Sequence, residues 1–205
     1  MLFIGDIHGD LKNYERLIHK YKSLNSIQVG DFGVGFPDYK SKPVYINNIF
    51  KDMPGTHRFI RGNHDHLESC MECHSYIPDG HIENNMMFIG GANSIDKAYR
   101  TEGRDWWRNE ELSYSELMRF MEIYEKNKPE IMVTHDCPEF VTKKFGKILY
   151  EEKSITRQAF DEFFKIHKPK YWIFGHWHIS FNRVLEGCNF ICLNISETIE
   201  LNITG

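Results

Sequence analysis

The sequence predicts an α/β fold with more than one sheet, and three observations carry the prediction. The first part of the chain alternates short apolar runs with stretches of helical periodicity. The tail is strand-rich, with apparent strands at 181–186, 190–194 and 198–203. Asp, Asn and His residues repeatedly follow the ends of the apolar runs, which is where ligands gather in open α/β sheets. A length of 205 residues suits one well-buried domain over 1–205 and leaves little room for a second.

Taken in order, Leu2-Phe3-Ile4 reads as a strand running into the glycine-flanked loop Gly5-Asp6-Ile7-His8-Gly9. Leu11, Tyr14, Leu17, Ile18 and Tyr21 recur at helical spacing, with Asp10 placed as the N-cap. Ser26 to Val29 is a strand ending in Gly30-Asp31, followed by a glycine-rich loop over 32–37. Positions 43–51 suit a short helix closed by Pro54-Gly55, and 57–60 a strand entering Arg61-Gly62-Asn63-His64-Asp65. Positions 66–85 are polar and mixed, without a clear period. Met86 to Ile89 is a strand, and 92–112 a long loop carrying Arg100, Arg104, Trp106 and Trp107. Ser113-x-x-Glu116 is a capping box that opens a helix bearing Leu117, Phe120, Met121 and Tyr124. Ile131 to Val133 leads into Thr134-His135-Asp136, and Tyr171 to Phe174 into Gly175-His176-Trp177-His178. Between them, Ile155, Ala159 and Phe163 predict the buried face of a helix over 154–167.

Composition narrows the function. The formal net charge of −4 and the lack of a Lys/Arg run argue against a long polynucleotide as the main substrate. No basic leader precedes a long apolar core, and no run approaches the roughly 20 apolar residues of a membrane span, so a cytoplasmic protein without membrane association is expected. The five cysteines are an odd number and read as reduced thiols. Cys70-Met71-Glu72-Cys73-His74 matches a haem-attachment string, but such attachment belongs to exported proteins.

The 11 histidines exceed what packing needs, and several sit beside Asp, Asn or Gly. Five strand ends offer Asp6 with His8, Asp31, Asn63 with His64, His135, and His176 with His178. Carboxylate and imidazole are suitable donors for borderline divalent metals. The set is too large for one tetrahedral site but suits two ions that share a bridging carboxylate.

In this order, D-x-H, G-D, G-N-H-D, a later lone His and G-H-x-H resemble the calcineurin-like metallophosphoesterase superfamily over positions 5–178. GDIHGD and RGNHD lean toward the branch of serine/threonine phosphatases and dinucleoside tetraphosphatases. The resemblance implies two mixed β-sheets packed as a sandwich and flanked by helices. It implies that Asp6, His8 and His178 hold one metal, that Asn63, His135 and His176 hold the other, and that Asp31 bridges. It also implies that His64 stays off the metals and donates a proton. Mn²⁺ is the expected ion, with Fe, Zn, Ni and Co also compatible. The expected reaction is hydrolysis of a small phosphate mono- or diester, such as a nucleotide or cyclic nucleotide. A protein phosphatase, a nuclease and a non-catalytic binding module on the same fold are the alternatives.

The chain departs from that branch after the second motif, which reads GDFGVGF. Val34 stands where an acid would pair with the catalytic histidine, and Gly35 where an arginine would grip phosphate. Arg61, Arg100, Arg104 and Arg183 are possible substitutes, and Arg104 is preferred because it shares a long loop with Trp106 and Trp107. The two tryptophans read as one core residue beside a half-buried neighbour, with stacking on a nucleobase as the other reading. Asp65 reads either as the residue that orients His64 or as a solvated turn carboxylate.

Overall fold

The computed structural model describes residues 1–22, 25–146 and 153–203. Its first sheet grows from the N-terminus. β1 (Leu2–Ile4), β2 (Asn25–Gln28) and β3 (Thr56–Phe59) pair in parallel, joined through α1 (Leu11–Tyr21) and α2 (Pro43–Asp52). The final strand, β10 (Thr198–Glu200), returns to pair antiparallel with β1 and sets Ile199 opposite Phe3, giving the order β10-β1-β2-β3.

The second sheet holds β4 (Ile82–Glu83), β5 (Met86–Ile89), β6 (Ile131–Thr134), β7 (Tyr171–Phe174), β8 (Phe181–Leu185) and β9 (Cys188–Cys192). Its order is β4-β5-β6-β7-β9-β8, with β5, β6, β7 and β9 parallel and the two edge strands antiparallel. Between β5 and β6 runs the helix here called α4 (Tyr114–Asn127), after the short α3 (Leu67–Met71). Between β6 and β7 lie α5 (Glu139–Thr142) and α6 (Ile155–Ile166).

Strand alternation sorts the core into three layers. Phe3, Ile27, Val29, Phe88, Val133, Ile173 and Ile191 point between the sheets. Leu2, Ile4 and Phe59 point the other way, onto Leu11, Tyr14 and Ile18 of α1 and Ile46 of α2. Met87, Ile89, Met132, Trp172, Phe174 and Phe190 meet Leu117, Phe120 and Tyr124 of α4 and Phe160, Phe163 and Phe164 of α6. The result is the expected pair of mixed sheets between helices. Strands buried on both faces need near-continuous apolar runs, which is how MMFI, IMVT and YWIF read.

The helix ends behave as the residue types demand. The Asp10 side chain accepts from the Asn13 N–H at 3.1 Å. Ser113 and Glu116 complete a reciprocal capping box. On α6 the expected stripe is rotated: Ile155 is 44% exposed, and the buried side is Thr156, Arg157, Phe160, Phe163 and Phe164. Three phenylalanines bury more area than Ile155 and Ala159, so they decide which side faces the sheet. Within 66–85 the chain forms α3 and β4, elements too short to show a period. All five cysteines are free and buried. Cys70 and Cys73 pack into the core beneath the first sheet while His74 is exposed, so C-x-x-C-H is a packing feature here.

Candidate metal centre

The carboxyl ends of β1, β2, β3, β6 and β7 open onto one edge of the sandwich, so the loops after them converge. Backbone bonds tie the first two together: the Ile7 and His8 N–H groups donate to the Asp31 carbonyl at 3.2 and 2.8 Å. His8, Asp31, His176 and His178 all adopt left-handed backbone, with φ of 44°, 54°, 66° and 50°. Such conformations are sparsely populated by non-glycine residues and cluster at functional sites. Two glycines make the convergence possible. A Cβ on Gly62 would strike the Asp31 carboxylate, and one on Gly175 would strike that of Asp6.

Two donor groups result. In the first, His8 Nε2 and His178 Nε2 lie 2.9 Å apart, and His178 Nε2 is 3.2 Å from Asp6 Oδ2. Ligand atoms of Asp6, His8, Asp31 and His178 all fall within 4.8 Å of one another. In the second, Asn63 Oδ1 is 3.0 Å from both His135 Nε2 and His176 Nδ1. Asp31 stands between the groups. Its Oδ1 is 3.4 Å from His135 Nε2, and its Oδ2 is 3.8 Å from His8 Nδ1. His64 lies beside the cluster, with Nε2 3.9 Å from Asp31 Oδ2.

The donor set fits divalent cations. Donor pairs about 3 Å apart span the edge of a coordination polyhedron with bonds of about 2.1 Å. His135 Nδ1 is 2.9 Å from the Val29 carbonyl, which fixes the proton there and turns the Nε2 lone pair inward. Without a cation, charge balance falls on the imidazoles. Burial alone would raise the Asp31 carboxyl, but His64 and His135 hold it well below its ordinary range. Burial would likewise lower His135, and the Asp31 carboxylate outweighs it, lifting the imidazole to about 10. Burial, with His135 close by, depresses His176 well below its ordinary value.

A cavity of about 270 Å³ opens over the cluster, lined by His8, Asp31, Asn63, His64, His176 and His178 together with Phe36, Ile95, Asp96, Arg100 and Trp177. Arg104 is exposed and is not part of this lining. Arg100 is, with Nη2 3.3 Å from His64 Nε2 and with Nε and Nη2 held by Asp96 at 2.7 and 2.6 Å. The two arginines are four residues apart, and the 3-10 turn at Lys97–Tyr99, invisible to periodicity, decides which one faces inward. Arg61 is buried in an ion pair with Asp79 at 2.8 Å, and Arg183 lies on edge strand β8.

Asp65 matches neither reading of the sequence. It is buried, and it accepts from the backbone N–H groups of Phe32, Gly33, Val34 and Gly62 at 2.6–3.0 Å, knitting the second and third motif loops together. Val34 is buried in the core, and His64 Nδ1 has no hydrogen-bond partner among the described residues. Trp107 is a buried wall whose Nε1 donates to the His64 carbonyl at 3.3 Å; Trp106 is half-buried and, like it, outside the cavity lining.

Ser94 and Glu110 also touch the cluster, through Asn63, and sequence reasoning missed them. The available signal was the length of the 92–112 segment, since structureless loops beyond about 12–15 residues are uncommon unless functional.

Comparison with known proteins places this arrangement. No curated protein matches the sequence. Among solved structures, GAP50, described as the anchor in the inner membrane complex of Plasmodium, superposes with a TM-score of 0.55 at 10% identity, covering 98% of this chain and 77% of that one. At that identity the likeness is one of fold. The sequence profile of the calcineurin-like phosphoesterases matches residues 1–180, which include every strand end that feeds the cluster. This chain belongs to the calcineurin-like phosphoesterase family.

Proposed function

We propose that the protein is a two-cation phosphoesterase that hydrolyses small phosphate mono- or diesters, with Mn²⁺ as the working ion. The observation that carries this reading is the placement of Asp31, whose carboxylate lies within 4.8 Å of the ligand atoms of Asp6, His8 and His178 and 3.4 Å from His135 Nε2 of the other donor group. When bound, the cations polarise the phosphoryl oxygens and lower the pKa of water to near neutrality. Asp6, His8 and His178 would hold the first cation, Asn63, His135 and His176 the second, and Asp31 would serve both. His64, beside Asp31 in the cavity wall, is placed to give a proton to the leaving oxygen. Arg100, clamped by Asp96 in the cavity wall, supplies the grip on phosphate for which Arg104 is preferred on sequence alone.

GDIHGD and RGNHD support a place near the serine/threonine phosphatases and dinucleoside tetraphosphatases. Val34 and Gly35 argue against phosphoproteins within that branch. No helix among the described residues is long and apolar enough to cross a membrane. GAP50 is described as an anchor, but a likeness of fold at 10% identity carries no role, and the intact donor set favours hydrolysis over a binding module.

A panel of divalent ions against an aryl phosphomonoester, an aryl phosphodiester, cyclic nucleotides, a phosphopeptide and single-stranded DNA tests the reading. Turnover of small esters that depends on Mn²⁺ and exceeds that of the phosphopeptide and DNA is the expected result. Absence of turnover with every ion and ester, from protein that binds Mn²⁺, contradicts it and revives the binding module.

A further inference from the structure

Asn63 is the only one of the seven donor residues whose coordinating atom is not fixed by its chemistry. A carboxylate is acceptor on both oxygens, and an imidazole is set by its tautomer, but a primary amide carries a carbonyl oxygen and an NH₂ at almost the same place. Only the oxygen can ligate a cation. If the amide turned over, it would present two hydrogens to the second cation position and to the lone pairs of His135 and His176.

Buried hydrogen bonds decide which end faces inward. Asn63 Nδ2 is 2.9 Å from Ser94 Oγ, and the Ser94 hydroxyl is bonded in turn to Glu110 Oε2. The Ser94 N–H donates to the other Glu110 oxygen at 3.0 Å, and the backbone of Glu110 is held by Ala92 N–H and Arg61 Nη1. Asn63, Ser94 and Glu110 are 2%, 1% and 3% exposed, so water does not compete for these bonds. A carboxylate only accepts. Ser94 must therefore send its one hydroxyl proton to Glu110, which leaves its Oγ as the acceptor toward Asn63. That end of the amide must then be the NH₂, and Oδ1 must point at His135 and His176, as observed.

We propose that Ser94 and Glu110 are positioning residues that fix the polarity of the Asn63 amide and thereby create the second cation position. The proposal rests on the two-cation reading above and deepens it. It also gives the 92–112 segment a task beyond lining the cavity. Glu110→Gln reverses the relay rather than merely weakening it. With its oxygen accepting from the Ser94 N–H, the new amide donates to Ser94 Oγ, whose proton then turns toward Asn63 and favours the wrong end of that amide. Ser94→Ala removes the relay outright. Glu111, the neighbouring acid, accepts from Ser154 Oγ and the Thr156 N–H at the start of α6, so Glu111→Gln perturbs the same segment without touching the relay.

The test is Mn²⁺ titration of the full chain by calorimetry, with anomalous diffraction from Mn²⁺-loaded crystals showing which position is occupied, and circular dichroism of each variant as a check on folding. Loss of an outer hydrogen bond to a ligand costs about 10- to 100-fold in metal affinity. Ser94→Ala and Glu110→Gln should weaken uptake at the Asn63 position by that factor and leave the Asp6–His8–His178 position within about twofold, while Glu111→Gln changes neither. Either relay variant suffices if the other fails to fold. Wild-type affinity at both positions in a folded relay variant, or equal weakening at both positions, overturns the proposal. A wild-type chain that takes up fewer than two ions removes the two-cation reading itself, an outcome distinct from failure of the relay alone.

Discussion

Asp31 lies between the two donor groups, so on the two-cation reading its replacement removes the proposed shared ligand. Asp31→Asn should lower kcat by about 10²- to 10³-fold or more and reduce bound Mn²⁺ from two ions toward one, as read by steady-state kinetics and elemental analysis. His64→Ala should instead retain both ions and lose the roughly 10²- to 10⁴-fold that a positioned proton donor contributes. Emptying of the metal site in that variant would move His64 into the ligand set. Acid–base linkage gives a further expectation. His135 rises to about 10 beside Asp31 in the cation-free chain, so at pH 8 it carries a proton. Ligation needs the Nε2 lone pair, so cation binding expels that proton. Calorimetry at pH 8 in buffers of different ionisation enthalpy should show net proton release.

The residues that converge on the cluster were legible in the sequence because each motif is local: an acid or histidine one or two residues past an apolar run, with glycine beside it. What the motifs touch was not legible. Asp65 reads as a turn residue until the structure shows four backbone N–H groups from two loops converging on it. Arg100 and Arg104 differ only by the irregular backbone between them.

At the scale of elements, long periodic segments were readable and short ones were not. α1 and α4 announce themselves by cap and stripe, whereas α3, α5 and β4 have no room for a period. The face of α6 was misread because Ile155 and Ala159 were weighed without Phe160 and Phe164. The 92–112 segment is the element with the greatest reach into the site. It carries Ser94, Arg100, Trp107 and Glu110, each bonded to Asn63, His64 or a partner of theirs. Trp107→Phe keeps a buried aromatic ring, smaller than the indole, and removes the hydrogen bond to the His64 carbonyl. It should cost about 1 kcal/mol of stability in denaturant unfolding and lower kcat several-fold, with cation affinity unchanged. Away from the site, Ser113→Ala removes the α4 cap and should cost about 1 kcal/mol without altering kcat.

For the whole molecule, the sandwich explains why residues from 6 to 178 meet. The first sheet delivers Asp6, His8, Asp31 and Asn63, the second delivers His135, His176 and His178, and the apolar layer holding Phe3, Phe88 and Val133 sets the spacing between them. Strand β10 closes the first sheet, a pairing across nearly the full chain that no local pattern announces. Since each donor group draws on both sheets, loosening their packing should disturb the site at a distance. Phe88→Ala should cost about 3–5 kcal/mol and weaken cation binding although Phe88 belongs to the apolar layer between the sheets. The most direct measurement is an anomalous-difference map from Mn²⁺-loaded crystals. Two peaks about 3.5 to 4 Å apart, one toward each Asp31 oxygen, are the predicted result; a single peak, or peaks away from Asp31, would contradict the account.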